Sequence, residues 1–143
     1  MPRPDPALLD VSRYPFRHVL EPRFADLDVN QHLNNVAIIG LMQEARVRLH
    51  EKYAGLPDSR PFALIVVNLA TDFLRDGTYP AAVEVFSGVG AIGRTSHSVE
   101  QVMLQEGRAV ALLRTVMVRM VHGEKMENDP AFTAAMQVWT VRT

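Results

Sequence analysis

Asp28, Asn30 and His32 stand two residues apart within the polar run Asp26-Leu27-Asp28-Val29-Asn30-Gln31-His32-Leu33-Asn34-Asn35. In an extended stretch that spacing puts a carboxylate, an amide and an imidazole on one side. A carboxylate so placed can activate water or attack an acyl carbon itself. If a helix begins next, its unpaired N–H groups and partial positive charge can hold the developing oxyanion. Such an arrangement is hydrolytic, needs no metal and leaves the bond type open.

The same residues have other uses. Asp, Asn and His ahead of a helix also serve as caps and turn formers. Asp26, Asp28 and Asn30 match the first ligand positions of a calcium loop. The required glycine, however, is Gln31 and the closing glutamate is Ala37, so that use fails. Asp28 and His32 alone are too few to hold a transition metal. Spacing leaves the capping and the catalytic readings both open.

The elements that would position these residues are legible from periodicity. Ile38, Met42, Ala45 and Leu49 recur at 4, 3 and 4, which predicts a helix over about Asn34 to Tyr53, with Ile39 and Leu41 widening the apolar stripe. Asn34 or Asn35 caps it, Gly55 and Pro57 end it, and Glu44–Arg48 is an i,i+4 pair. Phe16 to Phe24 is a first strand. Phe62 to Leu74 is almost continuously apolar, as for a strand covered on both faces. Ala81 to Gly90 alternates, with Val83, Val85, Ser87 and Val89 on one side. Thr95 to Gln105 returns after a Gly93-Arg94 turn. Ala109 to Val121 follows Glu106-Gly107-Arg108, with Val110, Leu112, Arg114, Val116, Val118 and Met120 on one face. Residues 1–15 read as a Pro-bearing lead-in, with one helical turn at Ala7-Leu8-Leu9. Residues 16–122 read as the domain, and 123–143 as a packed tail with a short helix at Ala131 to Val138 and Trp139 as its anchor. One strand, a long helix and four consecutive strands predict an antiparallel α+β domain with the helix against the sheet.

Composition bounds the function. The 143 residues are 48% hydrophobic and 22% charged, with a formal net charge of −1 and no cysteine. This is one ordinary domain without the basic face of a nucleic-acid binder. Disulfides, Cys-type zinc sites and a cysteine nucleophile are excluded. No apolar window approaches the roughly 18 residues of a membrane span, and Met1-Pro2-Arg3-Pro4-Asp5-Pro6 is no signal peptide. The expectation is a cytoplasmic protein with no membrane or nucleic-acid partner.

The run from Arg23 to Asn35, followed by Gln43-Glu44-Ala45-Arg46, resembles the signature of the hot-dog acyl thioesterases. It is similar to the 4-hydroxybenzoyl-CoA thioesterase-like branch and, more closely, to plant-type acyl-ACP thioesterases. The resemblance implies an antiparallel sheet wrapped around one long central helix over roughly 16–122. It implies hydrolysis of an acyl-CoA or acyl-ACP thioester without a cofactor. Asp28 then matches the general base or nucleophile, and Asn30 and His32 match its polar partners. Asp76 stands where a glutamate is usual. Gly93-Arg94-Thr95-Ser96 resembles the turn near the pantetheine arm, making Arg94, Thr95 and Ser96 substrate-binding candidates, although Arg94 also reads as a solvated turn residue. One hot-dog unit implies a homodimer or homotetramer, because family sites lie between subunits. Ile38, Ile39 and Leu41 depart from the aromatic residues many relatives carry there. His18, His50, His97 and His122 have no motif support and read as surface or strand residues. Asp26 reads as structural, and Met42, Met117 and Met120 as core filler. The alternatives are an acyl-thioester-binding module without catalysis, and a hot-dog dehydratase or hydratase.

Overall fold

The computed structural model describes residues 3–143, so Met1 and Pro2 of the lead-in lie outside the described residues. Its centre is helix α1, Asn35–Tyr53. The stripe Ile38, Met42, Ala45 and Leu49 is buried as the spacing requires. Asn34 caps the helix by accepting the Ala37 N–H at 2.6 Å, and Gly55, at φ +76°, provides the left-handed residue past its end. Ile39 and Leu41 stay partly exposed. The buried face is widened instead by Arg46, His50 and Tyr53, which hydrophobic periodicity does not register. Arg48 faces Glu51 at 3.6 Å rather than Glu44.

A curled antiparallel sheet wraps this helix. Its strands are β1 (Phe16–Leu20), β2 (Ala63–Phe73), β3 (Val83–Ile92), β4 (Ser96–Gln105) and β5 (Arg108–Val121), in the order β1-β3-β4-β5-β2. A two-residue β6 (Glu124–Lys125) adds to β5. The first strand is shorter than expected: beyond Pro22 the chain turns into a 3-10 segment at Phe24–Asp26. Glu106 and Gly107, both at positive φ, make the tight turn between β4 and β5.

Val83, Val85, Ser87 and Val89 face the helix and are fully buried. On β5 the expected alternation is broken. A bulge between the pairs Met103–Ala111 and Leu104–Ala109 brings Val110 into the helix-side cluster with Ala111 and Leu113, while Leu112 packs outward with Tyr14 and Val102. The lead-in covers that outer face through Leu8, Leu9, Val11 and Tyr14. The C-terminal helix α2, Pro130–Gln137, buries Phe132 and Met136. Trp139 meets Phe16 edge-on at 6.2 Å, and its carbonyl accepts the Val89 N–H at 2.8 Å.

Strand β2 departs most from expectation. Its apolar run is not covered on both faces: it is an edge strand, with Ile65, Val66, Val67, Leu69 and Phe73 exposed.

Candidate active site

The polar segment is a closed loop rather than an extended stretch. The Asp28 N–H donates to the His32 carbonyl at 2.9 Å and the Gln31 N–H to the Asp28 carbonyl at 3.1 Å. Gln31 takes φ 63° to make the reversal. Leu27 and Leu33 bridge across its base. Asp26 is buried beneath it, accepting the Arg23 N–H at 2.7 Å and the Arg23 guanidinium at 2.9 Å. Burial opposes ionisation of Asp26, but its bonds to Arg23 hold the carboxyl below its ordinary value. Its carbonyl also accepts the Asn34 N–H at 2.9 Å. Asp26, Asn34 and Leu33 therefore shape the loop.

The loop still delivers the expected three side chains to one place. Asp28, Asn30 and His32 line a depression of about 210 Å³ with Asn35, Arg75 and Asp76. Oδ1 of Asp28 accepts the backbone N–H of Asn30 at 2.8 Å and of His32 at 3.4 Å. Oδ2 has no hydrogen-bond partner among the described residues, so it is available to a water or an acyl carbon. Nδ1 of His32 lies 3.7 Å from Oδ2 of Asp76. That is too long for a hydrogen bond, and both groups are solvated, with side-chain exposures of 42% and 74%.

Asp76 is brought there by backbone docking. The Leu33 N–H donates to the Gly77 carbonyl at 2.9 Å. A Cβ at Gly77 would lie 2.8 Å from a Leu33 methyl, so any larger residue there would force the Leu33 side chain to shift. Gln105 then clamps the following turn, with its amide bonded to the Thr78 N–H, the Thr78 carbonyl and the Ala81 carbonyl, each at 2.8 Å. The first backbone N–H groups of α1, those of Asn35 and Val36, have no acceptor among the described residues. Unpaired N–H groups of this kind at a helix start carry a partial positive charge.

Arg94, Thr95 and Ser96 are elsewhere within the chain. Ser96 pairs with Val118 on β5, whereas Phe73, which borders the depression, pairs with Ala111. Seven residues along one strand amount to roughly 23 Å. Arg94 is exposed and pairs with Glu127 at 2.8 Å. Arg75 and Asn35 enter the site without having been anticipated. Arg75 immediately precedes Asp76, and that adjacency was the available signal.

His97 is a strand residue on β4, as expected, and is buried there, whereas His50, buried on α1, corrects the surface-or-strand reading. His97 Nε2 and the Tyr53 hydroxyl are 2.7 Å apart. Burial pushes His97 down to about 4 and His50 down to about 3, with repulsion from His97, Arg46 and Arg60 adding to the latter.

One long helix inside a curled antiparallel sheet, with a polar loop at the helix start, defines a hot-dog protein. The model of the Thioesterase-like superfamily matches residues 22–137, and the chain belongs to that family. A thioesterase complexed with coenzyme A and Zn from Thermus thermophilus superposes with TM-score 0.78 at 26% identity, over 87% of this chain and 98% of that one. A predicted thioesterase from Bacillus stearothermophilus gives 0.81 at 19%, over 90% and 98%. DHNA-CoA thioesterase from Staphylococcus aureus gives 0.76 at 17%, over 85% and 88%. No curated protein sequence matches the chain.

Proposed function

We propose that this chain hydrolyses an acyl thioester, carried on coenzyme A or on acyl carrier protein, to the free acid and the thiol. The observation that carries the reading is the Asp28 carboxylate, pinned at one oxygen and free at the other, in a depression that Asn35, the first residue of α1, also lines. Family membership supports thioester chemistry, and the coenzyme A complex of the Thermus thermophilus relative supports a coenzyme A thioester as substrate.

In this reading the thioester carbonyl oxygen points at the N–H groups of Asn35 and Val36. Asp28 either takes a proton from the attacking water or attacks the carbonyl carbon to form an anhydride that water then opens. The carbon–sulfur bond breaks, the thiolate takes up a proton, and one water is consumed overall. Asn30 and His32 orient water or the carbonyl, with Asp76 beside His32. Arg94, Thr95 and Ser96 reach a thioester only if a second chain brings them near. The exposed apolar edge of β2 next to Phe73 supports a homodimer with sites between the chains, singly or as a dimer of dimers.

Asp28→Asn keeps an acceptor for the two N–H groups and removes the base. Turnover of acyl-CoA and acyl-ACP substrates should fall about 10²–10⁴-fold with thermal unfolding unchanged. Undiminished turnover would sink the assignment. Single-turnover hydrolysis in heavy-oxygen water separates the two roles, because only a nucleophilic Asp28 acquires the label.

A further inference from the structure

The cavity between the second half of α1 and the start of β2 holds two arginines that no carboxylate reaches within ion-pair distance among the described residues. Arg46 and His50, 5% and 7% exposed, line it together with Arg60, which rises from the loop before β2; its volume is about 120 Å³. One terminal nitrogen of Arg46 donates to Thr115 Oγ1 at 3.2 Å. Nε of Arg46, Nε and Nη1 of Arg60 and Nε2 of His50 are buried and have no hydrogen-bond partner among the described residues, although the Arg60 guanidinium lies 5.5 Å from the Phe62 ring centre. Among the described residues neither arginine has a carboxylate within ion-pair distance. Glu51 is the one carboxylate in the lining, and Arg48 faces it at 3.6 Å.

Buried guanidinium groups are ordinarily paired, because an unpaired buried charge is costly. A guanidinium offers a planar fork that matches a carboxylate in both charge and shape. The other walls are apolar: Leu64, Val66 and Met117. A strongly hydrated phosphate would lose water against them, whereas a carboxylate on a hydrocarbon body fits both halves. We propose that Arg46, His50 and Arg60 form a binding site for the carboxylate of an apolar organic acid, whose hydrocarbon part lies against Leu64, Val66 and Met117. It is distinct from the Asp28 depression within the chain, since residues 35 and 50 are about 22 Å apart along α1. Thioester hydrolysis releases acids of this kind, but the site rests on its own groups whether or not that reaction occurs.

Calorimetric titration of the full chain with butyrate and benzoate tests it, with butyramide and inorganic phosphate compared at matched ionic strength. The carboxylates should bind saturably, butyramide should not, and phosphate should bind more weakly. The His50 ring signals, rather than those of His32, should move in the NMR spectrum. Arg60→Gln should weaken carboxylate binding about tenfold or more, as expected for loss of a charge-assisted bond, while Arg17→Gln on β1 should not. The proposal is overturned by absent saturation, by equal binding of butyramide, by phosphate binding with the carboxylates silent, by a still His50, or by full affinity in folded Arg60→Gln. The wild-type titration and His50 signals decide the matter even if that variant fails to fold.

Discussion

Two carboxylates two residues apart have separate jobs in this loop. Asp26 spends both oxygens on Arg23, while Asp28 spends one on the loop and keeps the other. Asp26→Asn should therefore lower stability by about 1 kcal/mol, a modest cost because the guanidinium end of the pair is largely exposed. The folded fraction should keep its turnover. Asp28→Asn should show the reverse pattern. Thermal unfolding and steady-state kinetics on both variants separate them, and a loss of turnover confined to Asp26→Asn would reverse the assignment. Gly77 is the third residue with one job. Gly77→Ala should disturb turnover more than a surface Gly→Ala at Gly40, whose Cβ would meet nothing within 4 Å.

At the scale of elements, α1 is positioned by its ends as much as by its face. Asn34 sits at the junction of loop and helix, so its loss acts on both. Asn34→Ala should cost about 1 kcal/mol, measured by denaturant unfolding. Asn34→Asp, which caps equally well, should restore it. The edge strand β2 carries an apolar run that one chain leaves uncovered. Lysine on a strand edge blocks further pairing, and Val67 lies at the β2 bulge and is exposed. Sedimentation should find the wild type at two or four times the chain mass and Val67→Lys shifted toward a smaller assembly, with turnover falling in parallel. A wild type that sediments as one chain would remove the proposed shared site.

Across the whole molecule, the buried polar cluster makes stability depend on acid. His50 and His97 are neutral in the folded chain, pushed down to about 3 and about 4, whereas unfolding frees both to protonate near 6.5. Their folded values are depressed, so the unfolded chain binds more protons between those limits. Stability should be complete above about 6.5. It should fall as the pH drops through that value toward 4, by a few kcal/mol in order of magnitude. Replacing His97 with Gln should flatten the decline between pH 6 and 4 in thermal-unfolding profiles. An unchanged slope would assign the decline to other groups. Among the described residues no helix is long and apolar enough to cross a membrane.

Helix periodicity was readable because α1 packs one stripe against one sheet, and a period of 3.6 records that directly. Asn34, Gly55 and the Glu106-Gly107 turn were readable because cap and turn geometry depends on a few adjacent residues. The candidate trio was readable as a group, but only the folded loop decided how it converges. A left-handed Gln31 and a Leu33–Gly77 bond, between residues far apart in the chain, replace the extended geometry that spacing suggests. Tertiary structure alone decided the fate of Arg46, His50 and His97, because hydropathy counts them as surface and cannot see which side of a helix or strand must enclose them. It also decided β2: an unbroken apolar run records that a strand needs cover, but not whether the same chain provides it. The sequence thus determined the long helix, most of the strands and the residue types gathered in the Asp26 to Asn35 run. The folded loop determined which oxygen of Asp28 is free, and contacts between distant residues determined what stands beside it and which buried charges still lack a partner.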